Sequence, residues 1–191
     1  MNSSLALRGL ALALAVFVTS RAEATVVLQQ SFEEMTADAH LVVRGVALRS
    51  ASRWDDEGRR INTWTELRVT EVLKGSAGST VLVRQAGGVV GGVGQSVAGA
   101  AEFREGEEVL LFLVHPGDDP KGYVVSSMAM GKVTLSPDAF GKPRAWRDGH
   151  GMGLYEPRGG KVRLVDGRED LGPAEPFLAR IRAAVRGGGG K

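Results

Sequence analysis

The chain is 191 residues long, with 24 Lys and Arg against 22 Asp and Glu, 27 Gly and no Cys. Lacking thiols, it is not a disulfide scaffold, a thiolate zinc site, an iron–sulfur protein or a cysteine enzyme. Its 43% hydrophobic residues and net charge of only +2 exclude a wholly disordered chain.

The first residues have the order of a targeting segment. Arg8 supplies the basic start, Leu10 to Val18 (LALALAVFV) the apolar run, and Ala22-Glu23-Ala24 a cleavage site of the A-x-A form. A bilayer span takes about 20 apolar residues, and this run is shorter. The expectation is therefore a signal peptide over residues 1–24, cut after Ala24, and an exported protein, periplasmic or extracellular. Losing Arg8, Arg21 and Glu23 leaves a net charge of +1, which gives no global attraction for nucleic acid or anionic lipid. No later run is long enough to span a membrane. Residues 25–186 are read as a single domain, and residues 187–191, mostly glycine, as a disordered tail.

An apolar lead-in, Thr25 to Leu28, precedes Ser31-Phe32-Glu33-Glu34, which has the form of a capping box and predicts a short helix from Phe32 to Asp38. His40 to Arg53 reads as a strand apolar on both faces over much of its length, interrupted at Gly45 by a bend or bulge. After the polar turn Asp55 to Gly58, Arg60 to Lys74 alternates. Ile61, Thr63, Thr65, Leu67 and Val69 share one side, Asn62, Trp64, Glu66 and Arg68 the other, and the alternation breaks at a bulge near Thr70-Glu71. Thr80 to Gln85 is a third strand. The glycines between Ala86 and Gly99 cost too much backbone entropy for a helix and predict a flexible loop or an irregular hairpin.

Val109 to Val114 is continuously apolar, as in a central strand buried on both faces. Tyr123 to Ser126 and Lys132 to Leu135 follow as short strands. Beyond them Pro and Gly are too closely spaced for long elements, although a hairpin ending in Lys161 to Val165 fits. Pro173 to Arg186 is a terminal amphipathic helix with Phe177, Ile181 and Val185 on one stripe. Many short strands divided by Gly- and Asp-rich turns, with few helices, predict a mainly β fold of barrel or sandwich type.

Candidate chemistry is sparse. His40, His115 and His150 lie at no metal-ligand spacing from one another, so no metal and no cofactor is expected. Asp148 and His150 share a Gly-rich loop, and an Asp can orient a catalytic His. A hydrolase needs a nucleophile as well, and no G-x-S-x-G is present. The adjacent carboxylates Glu33-Glu34, Asp55-Asp56 and Glu107-Glu108 point apart and suit solvated positions. The strongest binding signal is aromatic and basic: Arg53, Trp54, Arg59 and Trp64 flank one turn, and Trp and Arg are enriched where partners bind. A cross-strand Trp pair covering the outside of the sheet is the competing explanation.

The segments Ala37 to Leu48 (ADAHLVVRGVAL) and Leu67 to Gly75 (LRVTEVLKG) resemble the opening strands of the netrin-like domain of tissue inhibitors of metalloproteinases. The layout of Val72 to Gly75 followed by Gly106 to Leu113 is also similar to that of exported bacterial proteins of unknown function. The likeness covers about Thr36 to Leu135. It implies a closed barrel of the oligonucleotide/oligosaccharide-binding type with flanking helices. Those inhibitors chelate zinc through an N-terminal Cys absent here, so their inhibitory residues do not carry over. The expectation is an exported, non-catalytic barrel module that binds a protein or glycan through its loops. A hydrolase using His150 and Asp148 is the alternative, and oligonucleotide binding is disfavoured by export and the near-neutral charge.

Overall fold

The computed structural model describes residues 25–117, 122–149, 152–156, 160–165 and 167–188. The fold is mainly β. Its strands are β1 (Thr25–Leu28), β2 (Leu41–Trp54), β3 (Ile61–Lys74), β4 (Thr80–Ala86), β5 (Gly88–Val90), β6 (Val93–Gln95), β7 (Glu108–Val114), β8 (Tyr123–Val125), β9 (Lys132–Pro137), β10 (Pro143–Asp148), β11 (Met152–Glu156), β12 (Lys161–Val165) and β13 (Arg168–Pro173). Among the described residues there are also two α-helices, α1 (Phe32–Asp38) and α2 (Ala174–Gly188), and a 3-10 turn at Met128–Gly131. No helix among the described residues is long and apolar enough to cross a membrane.

Eight strands form one sheet in the order β13-β10-β9-β7-β2-β3-β4-β8. A closed barrel was the expectation from sequence, and the sheet is not closed as one. The reason lies in β7. One of its edges pairs along its length with β2, while the other is divided: Val109 to Leu111 pair with β9, and Leu113 and Val114 pair with β8. The first half therefore carries the sheet onward to β10 and β13, in a stretch whose closely spaced Pro and Gly predict no long elements. Only the second half curls back toward β4, through two residue pairs on each side of β8.

The long β2–β3 hairpin bends where the sequence places its irregularities. The register slips between Arg44 and Gly45, so that Arg44 faces Glu71, Gly45 faces Val69, and Thr70 is the extra residue of a bulge. Gly45 is required there because a Cβ would lie 2.5 Å from the Arg68 carbonyl oxygen and 2.8 Å from Leu67 Cγ.

Because β7 is buried on both faces, it divides two cores. Val109, Leu111 and Leu113 pack with Leu41, Val43, Leu67, Val81 and Val83 inside the curl of the sheet. Leu110 and Phe112 point the other way, against Phe32 and Met35 of α1 and Phe177, Leu178 and Ile181 of α2. The capping box starts α1 as expected: the Glu34 N–H donates to Ser31 Oγ, and the Ser31 N–H donates to Glu34 Oε2 at 2.7 Å. Arg182 clamps α2 to β3 by a bidentate pair with Glu71 at 2.7 and 2.8 Å. α2 runs two residues into the expected tail, to Gly188. A second sheet, β1-β11-β12, pairs β1 parallel to β11 and rests Val27, Met152 and Leu154 on Met130.

The Gly-rich segment after β4 is an ordered ribbon, β5–β6, closed by the two-residue turn Gly91-Gly92. Both glycines have positive φ, +58° and +83°, as a type I′ hairpin turn demands.

Candidate functional site

The four residues singled out from the sequence lie at the free end of the β2–β3 hairpin, but on two faces. Ala51 faces Trp64 and Arg53 faces Asn62, so these side chains share the outer side; Trp54 faces Ile61 on the inner side together with Ser52 and Thr63. Trp54 and Trp64 therefore form no cross-strand pair. The Arg53 guanidinium lies 3.8 Å above the Trp64 ring, a cation–π stack, and Arg59 at the turn pairs with Glu57. Asp55 shapes the turn by accepting from the Arg59 and Arg60 N–H groups at 2.7 and 3.1 Å, and these bonds hold its carboxyl below the ordinary aspartate range.

Around Trp64 the outer face continues as a basic stripe. Arg49 and Arg68 flank it along β2 and β3, and Arg84 of β4 stands directly opposite Trp64. Glu66 pairs with Arg49 at 2.8 Å, and Leu82, opposite Glu66, is exposed. Helices cover the outer face of β7, β9 and β10, whereas on this stretch Arg68 and Leu82 are exposed and Trp64 and Arg84 half-buried.

The inner face of the same hairpin is different in kind. Ser50 with Thr65 and Ser52 with Thr63 are hydroxyl pairs at 2.8 Å. Thr63 Oγ1 donates to the Gly87 carbonyl at 2.7 Å and Thr65 Oγ1 to Gln85 Oε1 at 3.4 Å. Each hydroxyl has one proton, so Ser50 and Ser52 are the donors to Thr65 and Thr63. The β5–β6 ribbon crosses this floor. At Gly88 (φ +137°) a Cβ would overlap Ser52 Oγ and Thr63 Oγ1. Gln95 then ties the ribbon to the hairpin: its Oε1 accepts from the Ile61 N–H at 2.5 Å, and its Nε2 donates to the Arg59 carbonyl at 3.1 Å.

Between the ribbon, the hydroxyl floor and the segment Ser96 to Phe103 lies a cavity of about 620 Å³. Gln85 lines it and is 8% exposed, and its Nε2 has no hydrogen-bond partner among the described residues. Sequence reading missed this site, although one signal was present. Thr63 and Thr65 occupy the phase of Ile61 and Leu67, which makes them polar side chains at positions the alternation assigns to the interior.

A smaller depression of about 290 Å³ lies on the other side of the Ser96 to Glu102 segment, lined by Glu107, Lys132, Thr134, Trp146, Asp148 and Arg168 among others. Glu107 is not solvated as expected. Its carboxylate meets Lys132 Nζ and Thr134 Oγ1 at 2.9 and 2.7 Å, with the Glu107 and Lys132 side chains only 13% and 10% exposed. Burial pushes its pKa up, but the hydrogen bond and charge of Lys132, with the hydrogen bonds from Thr134 and the Arg104 N–H, together outweigh this and hold it below the ordinary glutamate range. Asp148 is exposed at the rim, and His150 lies outside the described residues. The fold brings His40 and His115 together, their rings 4.9 Å apart and His115 stacked on Tyr123 at 4.6 Å. Among the described residues no three His, Asp or Glu side chains converge to hold a metal ion. Compared with models of known protein families and with curated proteins, the sequence matches none.

Proposed function

We propose that the chain is an exported, non-catalytic β-module that recognises a protein partner through the end of the β2–β3 hairpin. The observation that carries this reading is the stripe on three adjacent strands: half-buried Trp64 under the Arg53 guanidinium, half-buried Arg84 opposite it, and Arg49, Arg68 and Leu82 exposed around them. Pre-stacked Trp and Arg lose little side-chain entropy on docking, and together they present apolar area and positive charge to an acidic surface. An anionic glycan is the second occupant this chemistry would accept.

A barrel-like core of the netrin type belongs to the same proposal. What supports it is the circuit of pairings β2–β3, β3–β4, β4–β8, β8–β7 and β7–β2, in which only β4–β8 is parallel. Barrels of the oligonucleotide/oligosaccharide-binding type are five-stranded and partly open, so the added strands β9, β10 and β13 are compatible with that ancestry. Export rests on the arrangement of residues 1–24, and intact-mass measurement of secreted material should give a chain beginning at Thr25.

The test of the surface is capture from the cell envelope of the source organism by immobilised wild-type protein, Trp64→Ala and Arg84→Glu. A partner retained by the wild type, lost by both variants and released by salt supports the reading, provided the variants melt like the wild type. Equal capture by all three overturns it. Tight binding of an oligothymidylate to the same stripe would replace the protein reading with a nucleic-acid one.

A further inference from the structure

The cavity on the inner face of the hairpin is separate from the outer stripe and does not depend on it. Its walls combine a chain of neutral hydroxyls, Ser50 to Thr65 to Gln85, with one buried donor that the protein itself leaves unmet, Gln85 Nε2. A buried amide N–H without an acceptor is costly, and such groups are rare in folded proteins. Substituting an apolar side chain would remove the cost, so the donor makes sense if something enters the cavity and accepts from it.

The same cavity also offers apolar surface from Ala101 and the half-buried Phe103. The surrounding polar side chains, Ser50, Thr63, Thr65, Gln95 and Ser96, carry no charge, and among the described residues Glu102 is the one ionisable group lining the cavity. An anion would find no cation and a cation only that carboxylate, while a polyol, whose hydroxyls both donate and accept, matches walls of hydroxyls and backbone carbonyls. The volume, about 620 Å³, falls in the range of small-ligand pockets.

We propose that this cavity binds a neutral saccharide bearing an acetamido group, with the acetamido carbonyl accepting from Gln85 Nε2 and its methyl resting against Phe103 and Ala101. An acetamido substituent supplies in one unit the strong neutral acceptor and the small apolar group that these neighbours call for.

The test is titration of the isotope-labelled mature protein with N,N′-diacetylchitobiose, followed by NMR. The Gln85 side-chain amide resonances should shift, and intermolecular nuclear Overhauser effects should join the acetamido methyl to Phe103 in the wild-type protein. Gln85→Met keeps the volume, removes the donor and should weaken binding by at least about tenfold, the equivalent of one lost hydrogen bond. Trp64→Ala, on the other face, should bind as the wild type does, whether or not the outer stripe proves to be an interface. The proposal is overturned if no shift appears up to about 10 mM, a concentration beyond the millimolar limit of weak specific binding. It is equally overturned if cellobiose, which lacks acetamido groups, binds as well, if trialanine binds more tightly, or if Gln85→Met binds unchanged.

Discussion

Phe112 is the residue on which the two layers of the molecule meet. Its ring is fully buried on the helix side of β7, 5.8 Å from the Phe32 ring, which in turn meets Phe177 edge-on at 4.9 Å. Phe112→Ala would remove a ring from a site walled by a strand paired along both edges and by two helices pinned through Arg180–Glu33 and Arg182–Glu71, which limits how far the walls can close on the gap. Buried Phe→Ala changes cost about 3–5 kcal/mol. At about 2–4 °C per kcal/mol for a domain of this size, the melting temperature should fall by about 6–20 °C. Ile181→Ala, on the facing stripe of α2 and equally buried, should cost about 2–5 kcal/mol, and the pair should couple less than additively because both open the same cavity. Leu82→Ala, which removes a side chain 51% exposed on the outer face of β4, is the control and should stay within about 0.5 kcal/mol. Thermal melts followed by circular dichroism read the wild type, the two single variants, their double variant and the control. A Phe112→Ala shift no larger than that of Leu82→Ala would refute the placement of α1 and α2 on β7.

Gly106→Ala, at positive φ in open space, should cost about 1–2 kcal/mol, and Gly88→Ala should cost about 1–3 kcal/mol more than that, because its new Cβ also overlaps the Ser52–Thr63 hydroxyl pair; equal urea midpoints would contradict the packing of the ribbon on the hairpin. Glu107→Leu leaves the Lys132 ammonium buried without its counter-charge, at a cost of up to about 3–5 kcal/mol, and adding Lys132→Leu should recover most of it. Glu107, Glu71 and Glu33 all have carboxyls held below their ordinary range, Glu107 by Lys132 against burial, Glu71 by Arg182 and Glu33 by Arg180. The unfolded chain therefore binds more protons than the folded one as pH falls, so their stabilisation is complete above about pH 4.5 and is lost as pH drops through the lower folded values. Melting temperature measured from pH 6 to pH 2 should decline below that point, and less steeply in Glu71→Gln.

The parts of the fold that a sequence can disclose are those in which a local pattern has only one economical solution. Ser31 and Glu34 close a box that nothing distant can alter, and α1 begins where they put it. The run from Val109 to Val114 has no polar residue to offer water, so both its faces had to be covered, and the stripe of Phe177 and Ile181 was the available cover. The bulge at Thr70 showed as a broken alternation because a slip of one residue would otherwise turn Val72 and Leu73 to the wrong sides.

Closure of the sheet was not legible for the opposite reason. Whether β7 gives its second edge to β8, to β9, or half to each depends on which strand reaches it, and β8 and β9 are both short segments of ordinary strand composition. The Gly-rich ribbon concealed its order in the same way: glycine lowers local preference everywhere, and only contact with Ser52 and Thr63 reveals that Gly88 is needed for fit. The cavity was obscured further because its residues are commonplace one at a time. Thr63 and Thr65 are good strand formers, and Gln85 ends an unremarkable strand; their meaning comes from alignment across three strands, where the inner face changes from Leu67 and Val83 to hydroxyls and an amide. A chain selecting only for a dry interior would continue the apolar phase to the end of the hairpin. That the phase is kept and its chemistry changed, with one buried donor unmatched among the described residues, is what separates this end of the sheet from a frayed edge and makes Gln85 the residue to substitute first.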